Sequence, residues 1–566
     1  MKIPTGQTAH SPAQTTWCPA ELVLMVCLVG SLSAGVLRSQ PLQSANDRSR
    51  WCTVWSLVER HTYQIDDIDQ NRRFSTIDKV RHRSNDQEPW HFYSSKPPLL
   101  STMVAGLYWI ERKTIGLGLI GHTEFVTRLL LVFVNLIPMI AGLFSLRNCL
   151  RLLNVRPATR LFLLASAGAG SMLNPYLNTL NNHTPAAVCI LFCVTTWIRI
   201  EKASRSESGK LCPLDFAILG CCAAFSCCFE LPAAMFSLAC FAFALRKSVS
   251  RTATAFIPAA LIPLAAFFIT NWICTGGLKP FYAYYGTEKY VYTHNGVPSY
   301  WSQPRGMDAN NEAWPQYLFH CVLGHHGIVS LSPIMLLSIA GWLRIHRWKR
   351  SEQPADATGC DASGCDGAKG TVGLEAGSGN GPPSFDPSLL NELLQTGWIM
   401  TAATLLFYLT RTANYNYGGN SAALRWMLWL SPLWWVAMIP FLEAISRCRK
   451  RFGIAAFLLV LSVFTAAWSQ DRPWKPSWLF DALKSAGWIH YALRDSAPTV
   501  PDHIDVIQSS DLELRMVRYS GGDEDIHKPR SAPVCRFPES TPGILGSQNF
   551  GSVNFSAQAD SRIQRM

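Results

Sequence analysis

The sequence has few charged residues, and it lacks the common signatures of nucleotide- and metal-dependent proteins. Asp, Glu, Lys and Arg make up only 16% of its 566 residues, against 48% apolar residues. There is no Gly-rich phosphate loop, which argues against an ATP-driven pump. There is also no cluster with metal-ligand spacing, since Cys360 and Cys365 have neither a second Cys pair nor a His partner. We therefore predict no firmly bound cofactor.

The sequence is instead rich in apolar runs. A bilayer is crossed by about 20 apolar residues at helical rise, and candidate runs occur at 22–36, 124–146, 161–177, 184–199, 213–229, 231–245, 253–273, 327–345, 393–410, 422–443 and 453–469. The net charge of +12 falls in short clusters between them, which is typical of membrane topology rather than of nucleic-acid binding. We predict an all-α polytopic membrane protein with about 11 transmembrane helices. Its environment is the lipid bilayer, and no nucleic-acid partner is expected.

A further run, 97–120, is interrupted by Glu111, Arg112 and Lys113. Three charges inside a lipid-exposed span would be costly. We therefore expect this run to be an interfacial or re-entrant helix.

The basic residues in the segments that connect the apolar runs predict which side of the membrane each segment lies on. Lys and Arg concentrate in five of them, at 147–160, 199–210, 246–251, 344–350 and 447–451. The positive-inside rule places these connectors in the cytoplasm of a cytoplasmic (inner) membrane protein. The first loop (37–123), the 178–183 turn, the 274–325 loop and the 414–425 segment then lie on the extracytoplasmic face, where we expect the active site.

The same topology divides the chain into five parts. They are a cytoplasmic N-terminus (1–21), a transmembrane catalytic module (22–350), a flexible Gly-rich cytoplasmic linker (351–388), C-terminal transmembrane helices (389–470) and a small extracytoplasmic tail with strand-like alternation (471–566).

The first loop carries an acidic stretch, IDDID, from Ile65 to Asp69, with helical spacing possible from Asp66 to Val80. A carboxylate near a membrane surface suits a general base for a hydroxyl acceptor. The alternative is a solvated amphipathic helix on the lipid headgroups. A divalent ion held by Asp66, Asp67 and Asp69 together with a phosphate also stays open.

Lys96 precedes Pro97 and Pro98 at the start of an apolar helix. Proline in the first turn costs no hydrogen bond, so the pair fixes where the helix begins. A lysine beside exposed helix amides forms an anion site, for which phosphate is a natural ligand. The alternative is a lysine that snorkels to the interface.

The order of a first span, an acidic pair and then YSSKPPLL leading into an apolar helix resembles the GT-C superfamily of membrane glycosyltransferases. This superfamily includes the protein O-mannosyltransferases and the aminoarabinose lipid A transferases. TEFVTRLLLVFVNLIPMIAG from Thr123, GHHGIVSLSPIMLLSIAG from Gly324 and NYGGNSAALRWMLWLSPLW from Asn416 are similar to further segments of the family. The resemblance covers roughly residues 20 to 470.

The resemblance implies transfer of a sugar from a polyprenyl-phosphate carrier, with inversion, to a glycan, lipid or protein acceptor. It implies that Asp66 is the catalytic base with Asp67 as its acidic neighbour, although the pair is Asp-Asp rather than Asp-Glu and the base could be Asp67. It also implies that Lys96 contacts the carrier phosphate. Further candidate substrate-binding residues are Tyr63, Arg72, Asn182, His183 and Arg425. The turn containing Asn182 and His183 has a second interpretation as a helix cap.

Two other functions remain open. A transporter or lipid-carrier flippase would also be basic inside, but such proteins tend to show paired repeats and intramembrane carboxylates. Here the acidic residues gather in the first loop, and Glu230, between two apolar runs, is the main exception. The third possibility is a non-catalytic relative of the same family.

Overall fold

The structure is a computed structural model that describes residues 18–207, 209–304, 306–309, 312–352, 385–412, 417–489 and 491. Most of the predicted linker and most of the predicted tail, including its strand-like stretch, lie outside the described residues. The described part is mostly helical, with two short hairpins.

The helices and strands follow one another along the chain with short connections, apart from the long first loop and the 274–325 loop. The helices are α1 (Pro19–Arg38), α2 (Ala45–Glu59), α3 (Asp66–Asp69), α4 (Pro98–Thr114), α5 (Thr123–Leu152), α6 (Pro157–Gly168), α7 (His183–Ser204), α8 (Pro213–Phe229), α9 (Ala234–Lys247), α10 (Val249–Thr275), α11 (Trp314–Val322), α12 (Ile328–Leu331), α13 (Met335–Glu352), α14 (Asn391–Leu409), α15 (Arg425–Ile445), α16 (Arg449–Ser469) and α17 (Trp478–Ser485). The strands are β1 (Lys79–His82), β2 (His91–Ser94), β3 (Thr293–His294) and β4 (Val297–Pro298).

Six helices of the described chain are long and apolar enough to cross a membrane: α1, α5, α7, α10, α15 and α16. The chain is therefore a multi-pass membrane protein. The predicted count of about 11 is not confirmed, because several apolar runs form shorter helices in the described part of the chain. The runs at 161–177 and 231–245, for example, give helices of 12 and 14 residues, or about 18 and 21 Å at helical rise.

Polar contacts join the basic connectors at one end of the helix bundle. The pairs Glu21–Arg147 and Arg156–Glu443 join 147–160 to the start of α1 and the end of α15, and the pairs Lys247–Glu201, Arg199–Asp215 and Arg205–Asp386 join 199–210 to its neighbours. Lys202 Nζ donates to the Leu152 carbonyl, which links the two groups. The start of α1 lies at this end, because Glu21 also pairs with Arg160. The sequence prediction that these connectors share one side of the bundle is confirmed for the connectors in these pairs. The compartment on that side stays a prediction.

The first loop folds against the opposite end of the bundle and contains a two-stranded hairpin. Strands β1 and β2 are antiparallel, with Lys79 opposite Ser94 and His82 opposite His91. The helix predicted from Asp66 to Val80 is wrong beyond Asp69. The Asp69 side chain accepts a hydrogen bond from the Thr76 amide at 3.0 Å and closes a turn instead, and residues 79–82 alternate between half-buried and buried as a strand does.

Helix α4 begins where the two prolines predict, with Pro97 as its N-cap and Pro98 as its first residue. Lys96, just before it, pairs with Asp78, and Arg112 near its end lies 3.2 Å from Glu59 at the end of α2. Helix α4 therefore lies alongside α2, and its interfacial or re-entrant position stays a prediction.

Close helix packing at Gly341 provides a test of the fold. A Cβ atom at Gly341 in α13 would collide with the backbone carbonyl of Ala437 in α15, whereas one at Gly453 in α16 would meet nothing within 4 Å. We expect Gly341→Ala to lower the free energy of unfolding by about 1–3 kcal/mol, because backbone cannot move aside cheaply. Gly453→Ala, the matched helical control, should be neutral or slightly stabilising. Unfolding in detergent micelles measures both, and equal effects would contradict this packing.

Candidate functional site

Lys96 and Asp78 form the centre of a buried polar site at the first-loop end of the bundle. Lys96 Nζ lies 2.5 Å from Asp78 Oδ2, and the Asp78 side chain is only 7% exposed. The Ser95 hydroxyl donates to the other carboxylate oxygen. The hairpin brings these groups together, because Asp78 immediately precedes β1 and Ser95 and Lys96 follow β2.

A second cation, Arg50 of α2, lies in the same site. Its Nη2 atom donates to Asn182 Oδ1 at 2.5 Å. The Asn182 amide in turn donates to Glu230 Oε1 at 2.7 Å and to the Phe229 carbonyl at 3.1 Å. His183 also pairs with Glu230. The site therefore ties the first loop to the start of α7 and the end of α8.

A third cation, Arg425, lies at the start of α15. Its Nε atom donates to the Gly418 carbonyl at 2.8 Å, and its Nη1 atom lies 3.3 Å from His183 Nε2. The guanidinium is 5.0 Å from the centre of the Trp474 ring, in cation–π geometry. Gly418 has a φ of 94°, and a Cβ there would lie 2.8 Å from Arg425 Cγ, so the turn requires glycine.

We call the group formed by Arg50, Asp78, Lys96, Asn182, His183, Glu230 and Arg425 the polar cluster. It contains three cationic side chains, Arg50, Lys96 and Arg425, but only two carboxylates, Asp78 and Glu230. Guanidinium and ammonium groups that converge in a partly dehydrated site favour a phosphate or carboxylate ligand.

Burial and mutual attraction act in opposite directions on the pKa values of Lys96 and Asp78. Burial lowers the pKa of Lys96 to about 8, although the Asp78 charge acts in the opposite direction. Burial alone would raise the pKa of Asp78, but the charge and hydrogen bond of Lys96, with the hydrogen bond from Ser95, hold it below its usual value. At neutral pH the pair is therefore an ammonium and a carboxylate, and Asp78 is a weak base.

Four of the eight predicted site residues meet in the polar cluster: Lys96, Asn182, His183 and Arg425. The helix-cap interpretation holds instead for their neighbour Asn181, whose side chain accepts from the Thr184 amide at 2.9 Å. Segments far apart in sequence thus converge as the sequence predicts.

The other four predicted residues lie elsewhere on the first loop. Asp66 accepts from the Phe92 amide at 3.2 Å and lies 3.4 Å from His91 Nδ1. Asp67 is exposed and pairs with Arg60 at 2.6 Å. The Tyr63 hydroxyl lies 2.9 Å from Thr102 Oγ1, and Arg72 is exposed. The carboxylate paired with Lys96 is Asp78, and the catalytic roles of Asp66 and Asp67 stay predictions.

The acidic stretch also fails to assemble a metal site. Asp67 and Asp69 each pair with a cation, Arg60 and Lys79 respectively. Within the described ranges, no group of three or more His, Cys, Asp or Glu side chains is arranged to hold a metal ion. The possible divalent ion at Asp66, Asp67 and Asp69 therefore gains no support from these residues.

The roles of Arg50, Asp78 and Glu230 in this site were not predicted from the sequence. Glu230 did stand out as a carboxylate between two apolar runs. Arg50 belongs to the continuous polar stretch 46–50, which is visible in the sequence. Only the structure shows that this stretch is buried throughout in α2 and is therefore an interior polar surface.

The aromatic 274–325 loop packs over the hairpin of the first loop. Phe281 and Tyr290 are buried against Val80 and Tyr93, and the Arg81 amide donates to the Lys289 carbonyl at 3.0 Å. Phe281 and Tyr290 of this loop thus form a small second core with the hairpin, and the loop borders the polar cluster through Tyr290, which lies beside Asp78 and Ser95.

Comparisons with protein-family models, with curated proteins and with solved structures gave no match for this chain. The fold and the site therefore define its class by themselves. The chain is a multi-pass helical membrane protein with a buried cationic cluster at one end of its helices.

Proposed function

We propose that this chain is an integral membrane glycosyltransferase of the GT-C type. It moves a sugar from a polyprenyl-phosphate carrier to an extracytoplasmic acceptor, with inversion at the anomeric carbon. The observation that supports this most is the half-buried Lys96, which lies at the start of α4, pairs with the buried Asp78 and is accompanied by Arg50 and Arg425.

The chemistry requires what the polar cluster offers. A polyprenyl phosphate is held in lipid, so its enzyme must be embedded in the membrane. As the glycosidic bond breaks, negative charge develops on the departing phosphate, and fixed cations in a dehydrated site stabilise that charge most effectively. Lys96, Arg50 and Arg425 are the groups for this role. The start of α4 adds its exposed backbone amides.

The sugar needs neutral hydrogen-bonding groups beside the cations. Asn182 and His183 supply an amide and an imidazole next to Arg50 and Arg425. The 274–325 loop would cover the acceptor side of the site and exclude water during transfer. The acceptor hydroxyl must also lose its proton to a carboxylate, for which the family resemblance implies Asp66 or Asp67.

Transfer of labelled sugar from a polyprenyl-phosphate pool to an endogenous acceptor tests this function. In membranes containing the wild type we expect labelled acceptor that is absent without the protein. If the resemblance assigns the base correctly, the rate of sugar transfer falls about 10²–10⁴-fold in Asp66→Asn or in Asp67→Asn. Glu124→Gln is the control, because Glu124 belongs to a half-exposed ion pair with Arg73 remote from the polar cluster.

Two outcomes would contradict the proposal. If labelled carrier changes sides of the membrane without labelling any acceptor, the chain is a lipid-carrier flippase or transporter. If neither transfer nor movement depends on the protein, it is a non-catalytic relative.

A further inference from the structure

Asp308, in the 274–325 loop, is a further carboxylate beside the polar cluster, because it interacts with Arg425, Asp78 and Lys96. It lies in the short helical turn Gly306–Ala309 and is half-buried. The Tyr300 hydroxyl donates to its Oδ2 atom at 2.6 Å. Its Oδ1 atom points at Gly419, where a Cβ atom would lie only 3.1 Å away.

This position links Asp308 to Arg425. Gly419 follows Gly418, whose carbonyl accepts from Arg425 Nε, and both glycines have positive φ values of 94° and 70°. The two glycines thus let the carboxylate of one segment and the cation of the other approach the same turn. The charged groups that act on Asp308 are Arg425, Asp78 and Lys96, and its hydrogen-bond partner is Tyr300.

The carboxylates of this region differ in their hydrogen-bond and ion-pair partners. Asp78 is bonded through both oxygens, to Lys96 and to Ser95. Glu230 pairs with His183 and Asn182. Asp67 pairs with Arg60 in solvent, and Asp66 is bonded to the backbone of β2. Asp308 has a neutral donor, Tyr300, on one oxygen, and its other oxygen lies over the backbone of the glycine turn.

Burial raises the pKa of Asp308 above the usual value for Asp, and the hydrogen bond from Tyr300 and the charge of Arg425 moderate that rise. This is the opposite of Asp78, whose pKa is lowered. A carboxylate with a raised pKa is the better proton acceptor near neutral pH. Two carboxylates whose environments separate their pKa values in this way suit different roles.

We propose that Asp308 is the general base for the acceptor hydroxyl, while Asp78 only positions Lys96. This inference rests on the proposed glycosyltransferase function. The acceptor oxygen attacks the anomeric carbon as its proton passes to an Asp308 oxygen. The bond from that carbon to the phosphate oxygen breaks, and the polyprenyl phosphate leaves with the electron pair beside Lys96, Arg50 and Arg425. The proton on Asp308 is then lost to water, which restores the carboxylate.

Asp308→Asn separates this role from a structural one. Asparagine has the same shape and still accepts the hydrogen bond from Tyr300, but it cannot take up a proton. We expect kcat to fall at least about 100-fold, while KM for the lipid-linked donor changes less than about twofold. Glu288→Gln is the matched control, because Glu288 is an exposed acid of the same loop and its substitution should leave kcat unchanged.

The pH profile is the second readout. The base works deprotonated, so kcat of the wild type should fall as the pH drops through the raised pKa of Asp308. That acidic limb should be absent from the residual activity of Asp308→Asn. If the Asn variant does not fold, Asp308→Glu decides the matter, since moving the carboxylate by one methylene should cut kcat about tenfold or more at unchanged donor KM.

Three results have distinct meanings. The assignment of the base is overturned if Asp308→Asn keeps more than about one tenth of the wild-type activity. It is also overturned if Asp308→Glu has an unaltered pH profile and kcat. In both cases the transferase proposal still stands. Loss of transfer in Asp66→Asn or Asp67→Asn alone also overturns the assignment and returns the base to the IDDID stretch. Absence of transfer by the wild type removes the proposed function and this inference together.

Discussion

Lys96→Ala is expected to reduce sugar transfer at least about 100- to 1000-fold in kcat/KM. Lys96 supplies the positive charge at the start of α4, and a charge-assisted contact to a phosphate that becomes more negative in the transition state is strongest when the bond breaks. The loss should appear in both donor affinity and kcat. A change confined to KM would instead show that Lys96 binds the ground state and the transition state equally.

The difficulty with this variant is that it also leaves Asp78 as an unpaired buried carboxylate. Removing one partner of a buried ion pair costs about 3–5 kcal/mol of stability, so the loss of activity could come from unfolding. The double variant Lys96→Met with Asp78→Asn separates the two effects, because it removes both charges together. We expect the double variant to recover most of the wild-type stability and none of the transfer. Recovery of transfer would contradict a phosphate-binding role for Lys96.

Lys96 also gives the donor affinity a pH dependence of known sign. Since its pKa is lowered to about 8, the side chain is charged below that pH and neutral above it. Donor affinity should therefore weaken as the pH rises through about 8. Lys96→Arg, if it folds, should keep its charge and lose that alkaline limb.

The sequence predicts the ends of elements in this protein better than it predicts which side chains meet. Pro97 and Pro98 locate the start of α4 because proline acts on its own backbone and on that of the preceding residue. The basic connectors share one end of the bundle because membrane insertion responds to local charge. Both signals are local, so both can be recognised without a structure.

Local signals of this kind do not predict which carboxylate pairs with Lys96. Asp78 reaches Lys96 only because Lys79 pairs with Ser94 across the hairpin. The spacing from Asp66 to Val80 also fits a helix, which would have placed Asp78 differently. The choice between helix and strand there depends on burial of Val80 and Tyr93 against Phe281 and Tyr290, about two hundred residues further along the chain. Strand register of this kind is a tertiary property.

Asp308 illustrates the same limit. It lies in the 274–325 loop, in which the longest helix of the described residues is the nine-residue α11. Its relation to the polar cluster depends on the Gly418–Gly419 turn, more than a hundred residues later. Adjacent glycines indicate a turn, but they do not reveal which side chain approaches them. A position of this kind becomes a candidate only when the contacts are known.

Glu21→Ala is the second variant with a large expected effect, and it tests the opposite end of the bundle. Glu21 is fully buried near the start of α1, and it accepts from Arg147 Nε at 3.1 Å and from Arg160 Nε at 2.6 Å. The Arg147 side chain is only 5% exposed. Without Glu21, two guanidinium groups would remain close together with their shared counter-charge removed.

We expect Glu21→Ala to lower the free energy of unfolding in detergent micelles by about 3–5 kcal/mol, the usual cost of breaking a buried ion pair from one side. Glu21→Gln should cost less, because the amide oxygen still accepts one of the two hydrogen bonds. The matched control is Glu124→Gln, which breaks a half-exposed pair with Arg73 and should cost at most about 1 kcal/mol. Equal losses in the alanine variant and the control would show that solvent reaches Glu21. In that case the ion pairs of Glu21 with α5 and α6 would not be the contacts that hold the start of α1 at the basic end of the bundle.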